Sequence, residues 1–306
     1  MNNTIDPKKF GVSFSVKQCR KFGVDPVRAL DWLVQDAGFR RVRLMSYWNE
    51  HEKEQGRFDF AALDKQVEQV QKAGGVITMC LGARQPRYPE FHWPDWAWSA
   101  SKEERDKALL NYVQVVVERY KGNPAIISWQ LENEALLTSF GEKIEIDRKR
   151  LRQELAVVKQ LDPSRPVIMS TSASWGVPII GPIPDMSAFS FYLIRFHKGK
   201  YTTTYHAAWI HRLRALFIRI VWRKHSSIHE LQMEPWGPKD IWEMTPEQQD
   251  ESMGPKQIQK NFAAGKATHL YPLDLWGGEW WYWRLKTLND PSTWEAVRQN
   301  LDTNAE

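Results

Sequence analysis

The feature that most limits how this 306-residue chain can fold is an alternation of short apolar runs with amphipathic stretches. Eight runs are typical of strands: Phe10–Ser15, Arg41–Met45, Val76–Leu81, Ile126–Glu134, Val167–Ser170, Phe189–Tyr192, Ile228–Trp236 and Leu273–Trp276. Between them, apolar residues recur at the spacing of one helix face, as at Val27, Leu30 and Val34. Eight strands separated by helices favour a closed barrel over an open, doubly wound sheet. The sequence therefore predicts an α/β protein with one (β/α)8 TIM barrel domain over residues 1–306.

Local signals at the ends of the helical stretches support this division. Asp25 followed by Pro26 supplies a capping side chain and then a proline suited to the first helical turn. Ser101 and Glu104 have the spacing of a capping box. The helix after the fifth strand is the weakest, because residues 175–185 are rich in proline and glycine and are typical of a loop.

Composition excludes several other classes of protein. Hydrophobic residues make up 42% of the chain, which is enough for a large core and argues against disorder. No apolar run reaches the length of a membrane-spanning helix, and residues 1–9 are too polar for an export signal, so we expect a cytoplasmic protein. The two cysteines, Cys19 and Cys80, lack metal-ligand spacing and are expected to be reduced core thiols. No metal and no cofactor is predicted.

Two carboxylates at strand ends indicate the chemistry. Glu134 ends the fourth predicted strand and Glu230 lies in the seventh, so both should reach the mouth of the barrel. A retaining glycosidase needs one carboxyl that donates and accepts a proton and one that attacks the anomeric carbon. We assign Glu134 as the acid/base and Glu230 as the nucleophile. Asn133 is a candidate for binding the sugar 2-hydroxyl, and Arg43 is the best candidate for supporting the ionised Glu230.

The segments around these two glutamates resemble a known group of enzymes. Trp129–Glu134 (Trp-Gln-Leu-Glu-Asn-Glu) resembles the fourth-strand signature of glycoside hydrolase clan A, the retaining (β/α)8 enzymes. Ile228–Leu231 resembles the nucleophile segment of the seventh strand, with a histidine in place of the usual threonine. The resemblance implies that the second, sixth and eighth strands contribute Arg43, Tyr192 and Trp276 as contacts to the nucleophile or the sugar.

The chain also departs from that pattern. The segment Gln85–Pro94, after the third strand, lacks the Asp-x-His expected of a cellulase, and the segment after Glu230 extends unusually to Trp236. Because these departures fall in the loops that select the substrate, the sugar, the linkage and endo or exo action stay open.

Three other glutamates compete for the assigned roles. Glu132 precedes Glu134 by two positions and Glu234 follows Glu230 by two, so strand alternation would place each on the same face as its neighbour. Glu279, after the eighth strand, is either a substrate contact or a solvated loop residue.

Sixteen tryptophans are many for this length, and several follow predicted strands. Flat aromatic rings at the mouth suit stacking on sugar rings, and we select Trp48, Trp236 and Trp276 as binding candidates. Five other tryptophans also follow predicted strands: Trp93, Trp96, Trp98, Trp280 and Trp281. The alternative for all of these tryptophans is that they only pack long loops against the barrel.

The net charge of +5 arises from one segment of the chain. From Met186 to His229 there are eight Lys or Arg and no Asp or Glu. Apolar residues at helical spacing in this stretch are expected to form the buried face of the sixth helix: Trp209, Leu213, Leu216, Phe217 and Ile220. Four arginines are expected on its outer surface: Arg212, Arg214, Arg219 and Arg223.

The predicted function is hydrolysis of β-glycosidic bonds, with a β-linked oligosaccharide or glycoside as partner and no nucleic acid. Three alternatives are a transglycosidase, a non-catalytic carbohydrate-binding barrel, and a protein that associates with a membrane or a partner through the basic stretch of residues 186–229. Contact with a membrane through the basic sixth helix is the less favoured reading.

Overall fold

A computed structural model describes residues 4–137, 142, 144, 146–171, 182–203 and 208–301. Its strands, in chain order, are β1 (Phe10–Phe14), β2 (Arg41–Met45), β3 (Val76–Leu81), β4 (Ile126–Leu131), β5 (Val167–Thr171), β6 (Met186–Phe191), β7 (Ile194–His197), β8 (Lys200–Thr203), β9 (His225–Gln232) and β10 (Leu273–Trp276). Eight of them form a closed parallel barrel in the order β1-β10-β9-β6-β5-β4-β3-β2. The predicted (β/α)8 barrel is confirmed.

The barrel closes where the first strand pairs with both the second and the last. Val12 of β1 is in register with Val42 of β2 on one side and with Leu275 of β10 on the other. All five residues of β1 and of β2 are buried. Strands covered on both faces are near-continuous apolar runs, which is why the sequence pattern located them within a few residues.

Helices surround the barrel. They are α1 (Val16–Lys21), α2 (Pro26–Asp31), α3 (Trp48–His51), α4 (Ala61–Lys72), α5 (Asp95–Trp98), α6 (Lys102–Tyr120), α7 (Arg148–Leu161), α8 (Ala208–Trp222), α9 (Pro246–Met253), α10 (Pro255–Thr268), α11 (Gly278–Thr287) and α12 (Ser292–Leu301), with a π-helical turn at Trp32–Asp36 and a 3-10 turn at Ile241–Glu243. Asp25 caps α2 with proline in its first turn, and Ser101 and Glu104 form the predicted capping box of α6. The loop predicted at residues 175–185 lies largely outside the described residues.

Strands β7 and β8 form an antiparallel hairpin that was not predicted. Its residues are half-buried or exposed and mostly polar, so they lack the apolar run of a barrel strand. The turn consists of Lys198 (φ 49°) and Gly199 (φ 77°), the left-handed pair that two-residue hairpin turns require. The dipeptide Lys-Gly between two short runs was therefore the available signal.

The prediction for the sixth helix of the barrel, α8, was wrong in orientation. Its apolar residues at helical spacing are exposed: Trp209, Leu213, Leu216, Phe217 and Ile220. The face against the barrel instead carries Ile210, His211, Arg214 and Ile218. Arg214, expected on the surface, is buried with its guanidinium carbon 4.1 Å from the centre of the Phe189 ring. Spacing shows which residues share a face, but it does not show which of two partly apolar faces meets the barrel.

Within the described part of the chain, both cysteines lie in the core, where the sequence predicts them. Cys19 and Cys80 are buried and not bonded to each other. In that part, no helix combines the length and the apolar character that crossing a membrane requires, and no cluster of three acidic, histidine or cysteine side chains could hold a metal ion.

Candidate active site

A cleft of about 960 Å³ opens at the carboxyl ends of the barrel strands. Both predicted catalytic glutamates line it, Glu230 from within β9 and Glu134 from three residues beyond the end of β4. One wall is formed by the β7–β8 hairpin and by the chain after Glu234. This volume is within the range of pockets that bind small molecules.

The two carboxylates are joined by one hydroxyl group. Ser190, at the end of β6, donates a 2.6 Å hydrogen bond from Oγ to Oε1 of Glu134, and the same Oγ lies 3.5 Å from Oε2 of Glu230. Since these distances are two sides of one triangle, the two carboxylate oxygens are at most about 6.1 Å apart. Register pairs Ser190 with Glu230 across neighbouring strands, which fixes this arrangement.

Glu230 is held in a setting that suits a carboxylate anion. Nη1 of Arg43 donates to Oε1 of Glu230 at 2.9 Å, and the hydroxyl of Tyr192 donates to Oε2 at 3.1 Å. His229 is buried beside it, and its pKa lies well below the usual value because of burial and the charge of Arg43. A neutral His229 leaves Arg43 as the cation that compensates Glu230.

Glu134 is in a different electrostatic environment. Burial, followed by the negative charge of Glu230, raises the pKa of Glu134 to about 7. A carboxyl with this pKa carries a proton near neutral pH and can also give it up. The pair thus has the asymmetry that acid/base and nucleophilic roles require.

The rival Glu132 is directed away from the cleft. Both Glu132 (φ 41°) and Glu134 (φ 45°) have left-handed backbone conformations, so the alternation expected of a strand stops after Leu131. The carboxylate of Glu132 accepts backbone N–H groups of Ala83 and Arg84 and pairs with Arg150 at 2.8 Å. The expectation that the two glutamates share a face was wrong.

The rival Glu234 does line the cleft, but it belongs to a second ionic cluster. Arg87 pairs with both Glu234 and Glu279, and its guanidinium carbon lies 4.0 Å from the centre of the Trp276 ring. The indole N–H of Trp276 donates to Glu234 at 2.8 Å. Glu279 is 1% exposed and also accepts the backbone N–H of Ser15, so it is neither a cleft residue nor a solvated one.

Asn133 lines the cleft and links it to a further buried carboxyl. Its side-chain oxygen accepts from Arg43 at 3.2 Å, and its amide nitrogen donates to Glu90 at 3.1 Å. The second N–H of this amide is the group that could reach a sugar hydroxyl. Burial and the charge of Glu134 raise the pKa of Glu90 to about 8.

Of the three tryptophans selected from the sequence, two line the cleft. Trp236 and Trp276 do so, and Trp236 meets the Tyr192 ring edge-on at 5.8 Å. Trp48 is fully buried and stacks on Tyr112, so it packs the outer layer and does not face the cleft.

Sequence reasoning missed several cleft residues. Trp242 was not selected although it lines the cleft, because it follows no predicted strand. Ser190 was hidden between two phenylalanines of β6, and a small polar residue in an apolar strand was its signal. Arg87 and Glu90 lie in the segment Gln85–Pro94, which the sequence marked only as a departure from cellulases.

Part of the chain matches a known family. Residues 69–206 match the family model of the glycosyl hydrolases family 2, TIM barrel domain. This range contains Asn133, Glu134 and Tyr192 and ends before Glu230. The match confirms the resemblance to (β/α)8 glycoside hydrolases that was predicted from the glutamate segments.

Curated proteins that are similar to part of this chain also have the names of glycosidases. Beta-galactosidase BbgII of Bifidobacterium bifidum is 29% identical over 33% of this chain and 17% of its own length. Beta-glucuronidase of Sus scrofa is 37% identical over 27% of this chain and 13% of its own length. The chain thus spans only a small part of the curated relatives that it matches.

Solved structures share the whole barrel. A GH5_18 protein from Streptomyces cattleya, in complex with GlcNAc, superposes on 99% of this chain and 82% of its own chain, with a TM-score of 0.67 and 16% identity. At this identity the likeness establishes the fold, a closed barrel over nearly all of the chain.

Proposed function

We propose that this protein is a retaining glycoside hydrolase that cleaves β-glycosidic bonds. The observation that carries the proposal is the hydroxyl of Ser190 between the two carboxylates, since it places Oε1 of Glu134 within about 6.1 Å of Oε2 of Glu230. Retaining enzymes hold the two carboxyl groups about 5–5.5 Å apart, whereas inverting enzymes need roughly 6.5–9.5 Å to admit a water molecule. The short separation favours direct attack by one carboxylate.

In the first step, the carboxylate of Glu230 attacks the anomeric carbon. The bond from that carbon to the leaving oxygen breaks, and Glu134 transfers its proton to this oxygen. The raised pKa of Glu134, about 7, supports its role as the acid, and the contacts of Arg43 and Tyr192 support the anionic Glu230.

In the second step, water attacks the anomeric carbon of the covalent glycosyl-enzyme. Glu134, now ionised, accepts the proton of this water, and the bond to Glu230 breaks. Two displacements at one carbon return the original β configuration. Arg43 and Asn133 act as positioning residues. Arg43 donates a hydrogen bond to the carboxylate of Glu230, and Asn133 accepts a hydrogen bond from Arg43.

The test begins with a panel of aryl β-glycosides, including galactoside, glucuronide, glucoside, mannoside, xyloside and fucoside. With the best substrate, Glu230→Ala should abolish turnover, and added azide should restore it with an α-glycosyl azide as product. Glu134→Ala with azide should instead yield the β-glycosyl azide, because the nucleophile is intact.

Glu234→Ala is the matched control, since Glu234 also lines the cleft four residues after Glu230. It should keep a measurable rate without azide and form no glycosyl azide. Near wild-type turnover in Glu230→Ala, or azide rescue confined to Glu234→Ala, would show that the nucleophile is misassigned.

A further inference from the structure

Helix α8 (Ala208–Trp222) exposes a strip of large apolar side chains. Ile220 is 69% exposed and Trp209 55% exposed, and the other members of the strip are Leu213, Leu216, Phe217 and Val221. Members of this strip follow one another at intervals of three or four residues, so they lie on successive turns of one face. The opposite face packs against the barrel and α10, which means that the strip is not needed to hold the helix in place.

Cations border this strip. Arg212 and Arg219 are exposed, and on a helix of 3.6 residues per turn both lie beside the apolar strip on the same side. Arg223, just beyond the helix, is also exposed. Asp185, the carboxylate just before this segment, pairs with Lys159 and Lys224 rather than with these arginines. The whole segment from Met186 to His229 contains eight Lys or Arg and no Asp or Glu.

We propose that this face of α8 docks on a lipid surface that carries anionic headgroups. Amphipathic helices of this kind lie in the plane of the interface, with apolar side chains at the boundary of headgroups and acyl chains and with arginines at the phosphates. A large apolar strip on a soluble surface marks an interaction site, and the border of cations defines the charge of its partner.

The charge pattern also opposes pairing with a second copy of the chain. A two-fold interface brings the same patch of two molecules together. If two copies of α8 packed antiparallel about a two-fold axis, the side that carries Arg212 and Arg219 would face the same side of the other copy, and the segment from Met186 to His229 has no carboxylate to separate the charges.

The docking face on α8 follows closely in sequence after the hairpin that forms one wall of the cleft. The β7–β8 hairpin, which contributes Arg195 and Phe196 to the cleft, comes shortly before α8 in the sequence. Docking through α8 would therefore hold this side of the barrel near the lipid surface, while both catalytic glutamates stay within the barrel mouth.

The experiment is co-sedimentation of the whole chain with vesicles of phosphatidylcholine alone and of phosphatidylcholine with an equal part of phosphatidylglycerol. The wild type should bind the anionic vesicles and release on addition of salt. The triple variant Arg212→Gln, Arg219→Gln, Arg223→Gln should bind on the order of 100-fold more weakly, since each cation near an anionic surface contributes a factor of roughly five. The double variant Leu213→Gln, Ile220→Gln should lose most of the binding as well.

The matched control replaces three exposed lysines on the far side of the barrel, Lys53→Gln, Lys65→Gln and Lys107→Gln. It has the same change in net charge and should keep wild-type binding. All substituted side chains are exposed, so the melting temperatures of the variants and the wild type should agree. Turnover of a soluble aryl glycoside by the variants should equal that of the wild type. The vesicle-binding result does not depend on turnover, so it stands whether or not the proposed function holds.

Four results would overturn the proposal. They are equal binding to neutral and anionic vesicles, no binding to either, equal losses in the control and the arginine variant, and full binding by the double apolar variant. A lipid-free dimer that Ile220→Gln converts to monomers would assign the strip to a second copy instead.

Discussion

Replacing Ser190 with alanine should raise the pH at which activity is lost on the alkaline side. The Ser190 hydroxyl donates a 2.6 Å hydrogen bond to Glu134, and a donor favours the ionised form of the carboxyl that accepts it. Without this donor Glu134 holds its proton more tightly. The pKa of Glu134, about 7 with the serine in place, should therefore rise.

The magnitude follows from the strength of the bond. A hydrogen bond to a charged group contributes about 1.5–3 kcal/mol, and one pH unit corresponds to about 1.4 kcal/mol. Since water in the cleft replaces part of the lost bond, the alkaline midpoint should move from about 7 to roughly 8.

The assay is the pH profile of kcat/KM, which reports the ionisation of the free enzyme. Ser187→Ala is the control, because Ser187 is on the same strand, is also buried and does not line the cleft. Its midpoint should equal that of the wild type. An unchanged midpoint in Ser190→Ala, or a move to lower pH, would refute the reasoning that Glu134 is the proton donor held by this hydroxyl.

Three further predictions concern stability and binding. Burial raises the pKa of Glu90 to about 8, so the stability that its protonated form contributes is present at pH 5 and lost as the pH rises to 8. Between pH 5 and pH 8 the melting temperature of Glu90→Gln should therefore fall less than that of the wild type. An equal fall in both proteins would contradict this. Arg150→Met should lower the free energy of unfolding in urea by about 3–5 kcal/mol because it leaves buried carboxylates unpaired, whereas Arg57→Met in an exposed pair should cost less than about 1 kcal/mol. Trp236→Ala should raise KM on the order of tenfold with a smaller change in kcat, and Trp98→Ala, which does not line the cleft, should change neither parameter.

The barrel was predictable because its strands are covered on both faces. Such strands are continuous apolar runs, and the carboxylates at their ends identify the mouth, which is how Glu134 and Glu230 were found. Tyr192 and Trp276 were predicted from the resemblance to clan A, and both line the cleft. The pairing of Arg43 with Glu230 was also anticipated, and the structure places the two side chains 2.9 Å apart.

The errors arose where local pattern does not determine direction. Alternation placed Glu132 beside Glu134, but left-handed backbone at both residues turns Glu132 toward Arg150. Helical spacing identified one face of α8 and assigned it to the core, although Arg214 and His211 on the other face meet the barrel. In both cases the outcome depends on distant residues that meet only in the fold.

The central claim is that Glu230 forms a covalent bond to the sugar. Its most direct test is inactivation with an activated 2-deoxy-2-fluoro β-glycoside of the preferred sugar, followed by peptide mass spectrometry. We predict one sugar per chain, attached to Glu230 in the peptide that contains His229 and Leu231. A label on Glu234, or turnover of the sugar without any covalent label, would contradict the account.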